Sequence, residues 1–572
     1  MNNKQLKNLK DRLWEGADQL RANSGLKSTE YATPILGLIF LRFAESKYNQ
    51  YEEEIIVEYE RNKGTRTERP IHEIAVEKCG YYLPPEARFE YLLYLPEAED
   101  LALATKTAME EVEKYTVELA DTLPKDIYYD VNGEDDPLVL AKLFRVFKDI
   151  PTDVSLDIFG EIYEYFLGKF ALAEGQGGGE FFTPSTVVRY MVEVLAPTEG
   201  EIFDPACGSG GMFVQTAHYI AHHNAKGKDI NLRAYGVEKI GATVNLAKMN
   251  LVLNNVRGTI TNANSYYRDP YESLGRFDYV MANPPFNVDD VELDQVKSQP
   301  RFNTFGVPQN KTKKAKGDAK ETVPNANYLW INLFATSLNE QGRAALVMAN
   351  SASDAGHSEK DIRIKLIESG IISQMVTLPS NLFSSVTLPA TLWFFDRAKP
   401  KQDEILFIDA RNVFTQVTRA LRKFSDEQIK NLAIISRLYE GRTDDYAALL
   451  NEYRAALAAA PETSNDEDVP SKSYWQQQID WLTERFPDGI YTDVVGLCKA
   501  AKLEGEDGII DQDYSLNPGR YVGVVIEDDG MTAEEFKAEM LRINAELIAL
   551  NEEAHELERK IAENLKSLVG GV

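Results

Sequence analysis

A doubly wound α/β sheet between two helical flanks is the architecture this sequence predicts, on two observations. Over residues 151–410, short apolar stretches alternate with amphipathic helical ones, a pattern that folds as strands joined by helices. On either side, over 1–150 and 531–572, the apolar spacing is helical. At 572 residues the chain is too long for one ordinary domain; about three is usual for this length.

Taken in order, Lys4 to Asn23 and Thr29 to Glu60 have amphipathic helical spacing, so 1–150 is expected as a helical domain. Its boundary falls at Lys148-Asp149-Ile150-Pro151, before a fresh helical stretch, Leu156 to Leu172. Gly175 to Gly179 makes a hinge. Strands are expected at Glu201 to Asp204, Leu232 to Val237, Thr259 to Asn262 and Phe277 to Ala282, then at Ala344 to Met348, Ser373 to Leu378 and Leu392 to Phe395. Helices separate them at Ser185 to Leu195, Ala242 to Asn254 and Tyr328 to Asn339. The polar stretch 287–324 suits a flexible lid. Beyond it, 411–530 is expected to be mostly helical, with Phe424 to Ala460 as a helix and Pro461 to Pro470 as a linker.

Three motifs between Gly179 and Phe286 carry the chemistry. They are Gly179-Glu180-Phe181-Phe182-Thr183-Pro184, Asp204-Pro205-Ala206-Cys207-Gly208-Ser209-Gly210-Gly211 and Asn283-Pro284-Pro285-Phe286. The second follows a strand and opens a helix. Its glycines permit positive φ and let a ligand approach the backbone. Glu238, ending the next strand, is placed for ribose hydroxyls. Pyrophosphate fits poorly: the G-x-G-x-x-G spacing and a Walker lysine are absent, and Asp204 would repel it. The same carboxylate suits the ammonium of a methionine moiety. In the third motif two prolines remove two N–H donors, so the turn presents mostly acceptors, the Asn283 side-chain carbonyl and the Pro284 backbone carbonyl. Two acceptors on a planar amino group localise its lone pair. The pairing points to methyl transfer from S-adenosyl-L-methionine (SAM) to an exocyclic or amide nitrogen. Phe286 can stack on the base, and a base inside a duplex must flip out to arrive.

At these residues the sequence resembles the SAM-dependent N6-adenine DNA methyltransferases, and more narrowly the modification subunit of type I restriction–modification systems. Leu13-Trp14, Ala17 to Arg21, Tyr31 and Ile35 to Arg42 resemble that family's N-terminal helical domain, and Asp513 to Tyr521 its segment before a C-terminal helix. The resemblance implies a Rossmann-like class I SAM-dependent methyltransferase domain over 151–410, an N-terminal helical domain and a C-terminal helical or coiled-coil segment. It implies that Asp204 bonds the methionine ammonium, Glu238 the ribose, Thr183 the methionine end and Asn264 the adenine side of SAM, with Phe182 also binding the cofactor. Ala206, Gly208, Ser209 and Gly210 would form the cofactor turn, and Asn283, Pro284, Pro285 and Phe286 the target-base site. Many relatives carry an acid where Asn264 stands. Implied partners are double-stranded DNA, a DNA specificity subunit, a restriction (nuclease/translocase) subunit and a second copy of the chain. A protein glutamine or an RNA base is an alternative substrate, although glutamine enzymes prefer Tyr where Phe286 stands. A non-catalytic scaffold is disfavoured by the intact Asp204, Glu238, Asn283 and Phe286.

Net charge is −28, so the chain alone is expected to bind DNA weakly, and sequence reading to come from another subunit. Only about 70 residues separate the cofactor turn from the amino clamp, too few for a target-recognition domain. Lys311, Lys313, Lys314, Lys316 and Lys320 form either a solvated loop or a lid that touches phosphate. Cys79, Cys207 and Cys498 lack a CxxC pair, which suggests a reduced compartment and no zinc. His218, His222 and His223 are expected to be solvated on a helix face. No apolar run is long enough for a membrane span and the N-terminus has no apolar signal region, so a cytoplasmic location is expected. Near the end, Thr532 with Glu535 makes a capping box. Phe536, Met540, Ile543, Leu547, Leu550, Ala554, Leu557 and Ile561 then make a heptad stripe, suited either to its own core or to a partner helix.

Overall fold

The computed structural model describes residues 3–27, 30–152, 156–173, 183–223, 231–309, 321–383, 389–419, 421–464, 469–525 and 532–569. The chain forms two compact units, Met1–Val522 and Gly523–Val572. The first is built on a nine-stranded sheet. Its strands are β1 (Gly200–Asp204), β2 (Leu232–Glu238), β3 (Arg257–Asn262), β4 (Phe277–Ala282), β5 (Leu338–Ala349), β6 (Ile372–Thr377), β7 (Ala390–Asp396) and β8 (Glu404–Asp409). A separate hairpin, β9 (Thr415–Thr418) and β10 (Leu421–Lys423), precedes the ninth, β11 (Cys498–Lys502).

The spatial order is β3-β2-β1-β4-β5-β7-β6-β8-β11. Pairing is parallel from β3 through β5 and between β6 and β8, while β7 and β11 run antiparallel to their neighbours. The order reverses between β1 and β4, which are hydrogen-bonded with Phe203 opposite Val280. A ligand crevice opens at such a switch point, outside the carboxyl ends of the strands. Helices Ser185–Leu195, Gly211–His223 and Asp426–Tyr439 pack on one apolar face, and Asn327–Ser337 and His357–Glu368 on the other.

Several expectations shift. Helix Ala32–Asn62 is buried on all sides from Pro34 to Tyr48, because it runs through the middle of the N-terminal bundle rather than along its surface. Helix Leu156–Ala173 belongs to that bundle by packing: Trp14 meets Phe166 and Phe170 edge-on, with ring centroids 5.6 and 5.1 Å apart. The helix expected over Tyr328 to Asn339 ends at Ser337, and β5 begins at once at Leu338, opposite Phe277. The stretch expected as a lid, 287–324, is packed chain over 287–309 and 321–324. Val291, Val296, Phe302 and Val323 are fully buried there, and the stretch forms two single-turn helices, Leu293–Val296 and Pro300–Asn303. The lysine cluster, the Gly175 to Gly179 hinge and Phe182 lie outside the described residues. After 410 the chain is not only helical: besides the hairpin, β11 extends the central sheet at its β8 edge. Cys79, Cys207 and Cys498 are buried free thiols, and burial pushes each thiol up, Cys498 to about 12. His218 is half-buried and bonds Asn254 at 3.2 Å, while His222 and His223 are exposed.

The second unit holds one helix, Ala533–Val569. Its N-terminus is the expected capping box: Thr532 N–H donates to the Glu535 carboxylate at 2.8 Å, and Glu535 N–H to Thr532 Oγ1 at 3.3 Å. Seven residues of the stripe, Phe536, Met540, Ile543, Leu547, Leu550, Leu557 and Ile561, are exposed. No helix among the described residues is long and apolar enough to cross a membrane.

Candidate active site at the switch point

The turn after β1 is built from carboxylates and glycines. Asp204, the last residue of β1, is 1% exposed, and its Oδ1 accepts from Ala206 N–H at 2.9 Å. Burial, with the nearby Glu238 charge adding to it, pushes its carboxyl well above the usual range. Gly208 and Gly210 adopt φ of +51° and +81°, which any side chain would strain. Among the described residues, nothing lies within 4 Å of a Cβ built at Gly208 or Gly211. Glu238, at the end of β2, accepts from Gly208 N–H at 3.1 Å and from Ile240 N–H at 2.8 Å.

Two residues that the sequence reading did not single out hold this turn. Asn250 is 4% exposed and donates its amide to Ser209 O at 2.9 Å. Ser265 donates to Pro205 O at 2.5 Å, tying the end of β1 to the chain after β3. Beside it, Asn264 Oδ1 accepts from Tyr266 N–H at 3.0 Å, which fixes its side chain at the end of β3. Gly236 in β2 is a packing glycine, since a Cβ there would lie 2.8 Å from Cys207 Sγ.

The turn after β4 is made differently. Pro284 is buried, and Asn283, Pro285 and Phe286 are half-buried. Asn287 follows at φ +57°, a left-handed conformation that asparagine tolerates better than most residues. Its N–H donates to Asn327 Oδ1 at 2.8 Å, and its own Oδ1 accepts from Asn325 and Asn327, both at 3.0 Å. Asn325 Oδ1 closes the set by accepting from Asn327 N–H at 2.8 Å. The signal for Asn287 lay in its place after two prolines. Asn325 and Asn327 are 38 and 40 residues away and gave none.

Thus the structure places Asp204, Ala206, Gly208, Ser209, Gly210, Glu238 and Asn264 on the carboxyl rim of β1, β2 and β3, and Asn283 to Phe286 on the same rim after β4. Thr183 is half-buried just before helix Ser185–Leu195. The buried Asp204 carboxylate, the space beside Gly208 and Gly211 among the described residues and the Glu238 carboxylate fit a ligand carrying an ammonium and ribose hydroxyls. Among the described residues no group of His, Cys, Asp and Glu could hold a metal ion.

Known proteins resemble the chain over most of its length. The N-6 DNA Methylase family model matches residues 154–452, and the HsdM N-terminal domain model matches residues 9–150. The type I restriction enzyme MjaIX methylase subunit of Methanocaldococcus jannaschii is 33% identical, covering 98% of this chain and 91% of that protein. The HindI methylase subunit of Haemophilus influenzae is 31% identical over 87% of this chain and 97% of its own. Among solved structures, a type I restriction-modification system methyltransferase subunit from Streptococcus thermophilus shares the fold. Its TM-score is 0.64 at 20% identity, covering 90% of this chain and 99% of that one.

Proposed function

Since the chain belongs to the N-6 DNA methylase family, among the methylase subunits of type I restriction enzymes, we propose a division of labour between its two rim turns. The protein is a SAM-dependent, adenine-specific DNA methyltransferase, the modification subunit of a multi-subunit complex. The observation that carries the site assignment is the adjacency of β1 and β4 at the switch point, which sets the Asp204 turn beside the Asn283 turn.

In this reading Asp204 receives the methionine ammonium. That cation offsets the cost of a carboxylate held away from water. Glu238 accepts from the ribose hydroxyls while its backbone bonds keep the glycine turn closed around them. SAM, when bound, supplies an electrophilic methyl group. Asn283 Oδ1 and the Pro284 carbonyl each accept one hydrogen of the adenine N6 amino group and draw it toward tetrahedral geometry. Phe286 stacks on the flipped ring. Localising the lone pair replaces the strong base that proton removal would need: the new N6–methyl bond would form as the methyl–sulfur bond breaks to leave a neutral thioether, and the surplus N6 proton would then pass to water.

Sequence reading comes from a separate specificity subunit, because β2, β3 and their connections fill the interval between the two turns. A helix of that subunit would cover the exposed stripe of helix Ala533–Val569. A restriction subunit, a second copy of this chain and a cytoplasmic setting complete the proposal. Mapping N6-methyladenine in host DNA tests it: one defined sequence should lose its mark when the gene is deleted or carries Asn283→Ala. A genome with the same marks in all three strains would refute it. Changing Leu547 and Leu550 together to Asp should abolish co-purification with the specificity subunit and leave SAM affinity unchanged. Retained assembly would move the docking surface elsewhere.

A further inference from the structure

Residues 410–425 contain four basic residues, Arg411, Arg419, Arg422 and Lys423, and no acid, in a chain whose net charge is −28. Arg411 precedes the β9–β10 hairpin, Arg419 follows β9, and Arg422 and Lys423 belong to β10. Their place in the fold is defined by β8, which runs parallel to β6 and ends at Asp409, on the rim where the two turns lie. At the hairpin's base, Arg422 N–H donates to Asn381 O at 2.8 Å, in the loop that leaves the carboxyl end of β6. The hairpin therefore rises from the active face. All four residues of β9 are exposed.

The four cations divide into two kinds. Arg411 is paired with Asp409, and Arg422 lies over the Phe414 ring at 3.8 Å with Nη1 on Ser380 Oγ. Arg411 is thereby neutralised, and Arg422 braces the hairpin. Arg419 and Lys423 are exposed and have no ion-pair partner among the described residues. A strongly acidic protein that leaves two cations unpaired on the face where its polyanionic substrate must lie has a use for them there.

We propose that the β9–β10 hairpin is a phosphate clamp: Arg419 and Lys423 bind the backbone of the duplex that flanks the flipped adenine. This rests on the assignment of the chain as a DNA methyltransferase. Three to four strand spacings separate β4 from β6 and β8, about 15–20 Å along the rim. With about 3.4 Å per base pair, the contacted phosphates lie roughly five base pairs from the target base. The contact positions the duplex and reads no sequence.

The test uses the complex purified with its partner subunits, a duplex carrying the mapped site, and an unrelated duplex. Removing both cations in Arg419→Ala, Lys423→Ala should weaken binding to the two duplexes alike. The slope of log affinity against log salt should fall by about 1.8, near 0.9 for each lost phosphate contact. Between 50 and 200 mM salt the wild type should thus lose about twelvefold more affinity than the variant. SAM affinity and subunit composition should not change, and Arg419→Lys alone should keep the wild-type slope. An unchanged slope overturns the clamp. So does loss of a partner subunit from the variant complex, which would make the hairpin a protein-binding element. A wild-type complex that methylates no adenine would remove the premise itself, a result visible before any hairpin variant is made.

Discussion

The turn after β1 and the turn after β4 sit side by side yet are made of opposite materials. The first uses glycines at positive φ and two carboxylates, Asp204 and Glu238. The second uses two prolines and three interlocked asparagines, with no acid between Asn283 and Val288. Glycines open a backbone to close approach, and carboxylates attract a cation and hydroxyls, as an amino-acid nucleoside requires. Prolines and amides instead hold a neutral acceptor in one place, as a weakly basic amino group requires. On the proposed assignment, charge at the second turn would draw the wrong ligand, and stiffness at the first would keep the right one out.

The sharpest way to break this contrast is Asn283→Ala. It should lower the methyl-transfer rate by about 10³-fold, in line with losing one aimed transition-state contact, and leave SAM affinity within about twofold. Radiolabel transfer and calorimetry read the two quantities, and a wild-type rate would end the clamp assignment. Next is Asp204→Asn, which keeps the shape and removes the charge. SAM affinity should fall about 10–100-fold, the worth of a charge-assisted bond in a buried site. Asn327→Ala should follow, with about a tenfold loss of rate from the loosened second turn and little change in SAM affinity. Glu238→Gln should be mildest, about fivefold in affinity, because its amide nitrogen replaces only one of two acceptors.

A pH experiment separates the turns without a substrate. Burial raises the Asp204 carboxyl above its unfolded value, so the folded protein holds this proton more tightly than the unfolded one. Its contribution to stability is complete below the ordinary carboxylate range and is lost as pH rises through the raised folded value. In the absence of SAM, Asp204→Asn should therefore melt above wild type at neutral pH and lose that advantage toward about pH 4. Equal melting temperatures across the range would mean that the carboxylate is already compensated without ligand.

Most of this contrast was legible in the sequence. Local chemistry writes itself into adjacent residues: a strand that runs into glycines, or into two prolines, announces its turn. Asn250, Ser265, Asn325 and Asn327 escaped because each acts on a turn distant in the chain, and nothing in their own neighbourhood differs from an ordinary helix or loop. The 287–309 stretch hides its packing for a related reason. Its few apolar residues are widely spaced, yet Phe302 is fully buried and Asn332 holds the carbonyls of Phe302 and Gly306 at 2.8 and 2.7 Å. β11 was missed because its lysines mark a sheet edge, where one side of the strand meets water.

The burial of all three thiols has a practical side. Cys79, Cys207 and Cys498 are kept from solvent, and burial holds each in its protonated form. The thiolate is the species that alkylating dyes attack. The native chain is therefore a nearly blank background for site-directed fluorescence. A single cysteine placed on an exposed surface would be the one that maleimide finds, with no prior removal of the natural three, and a dye there could report DNA arrival in real time.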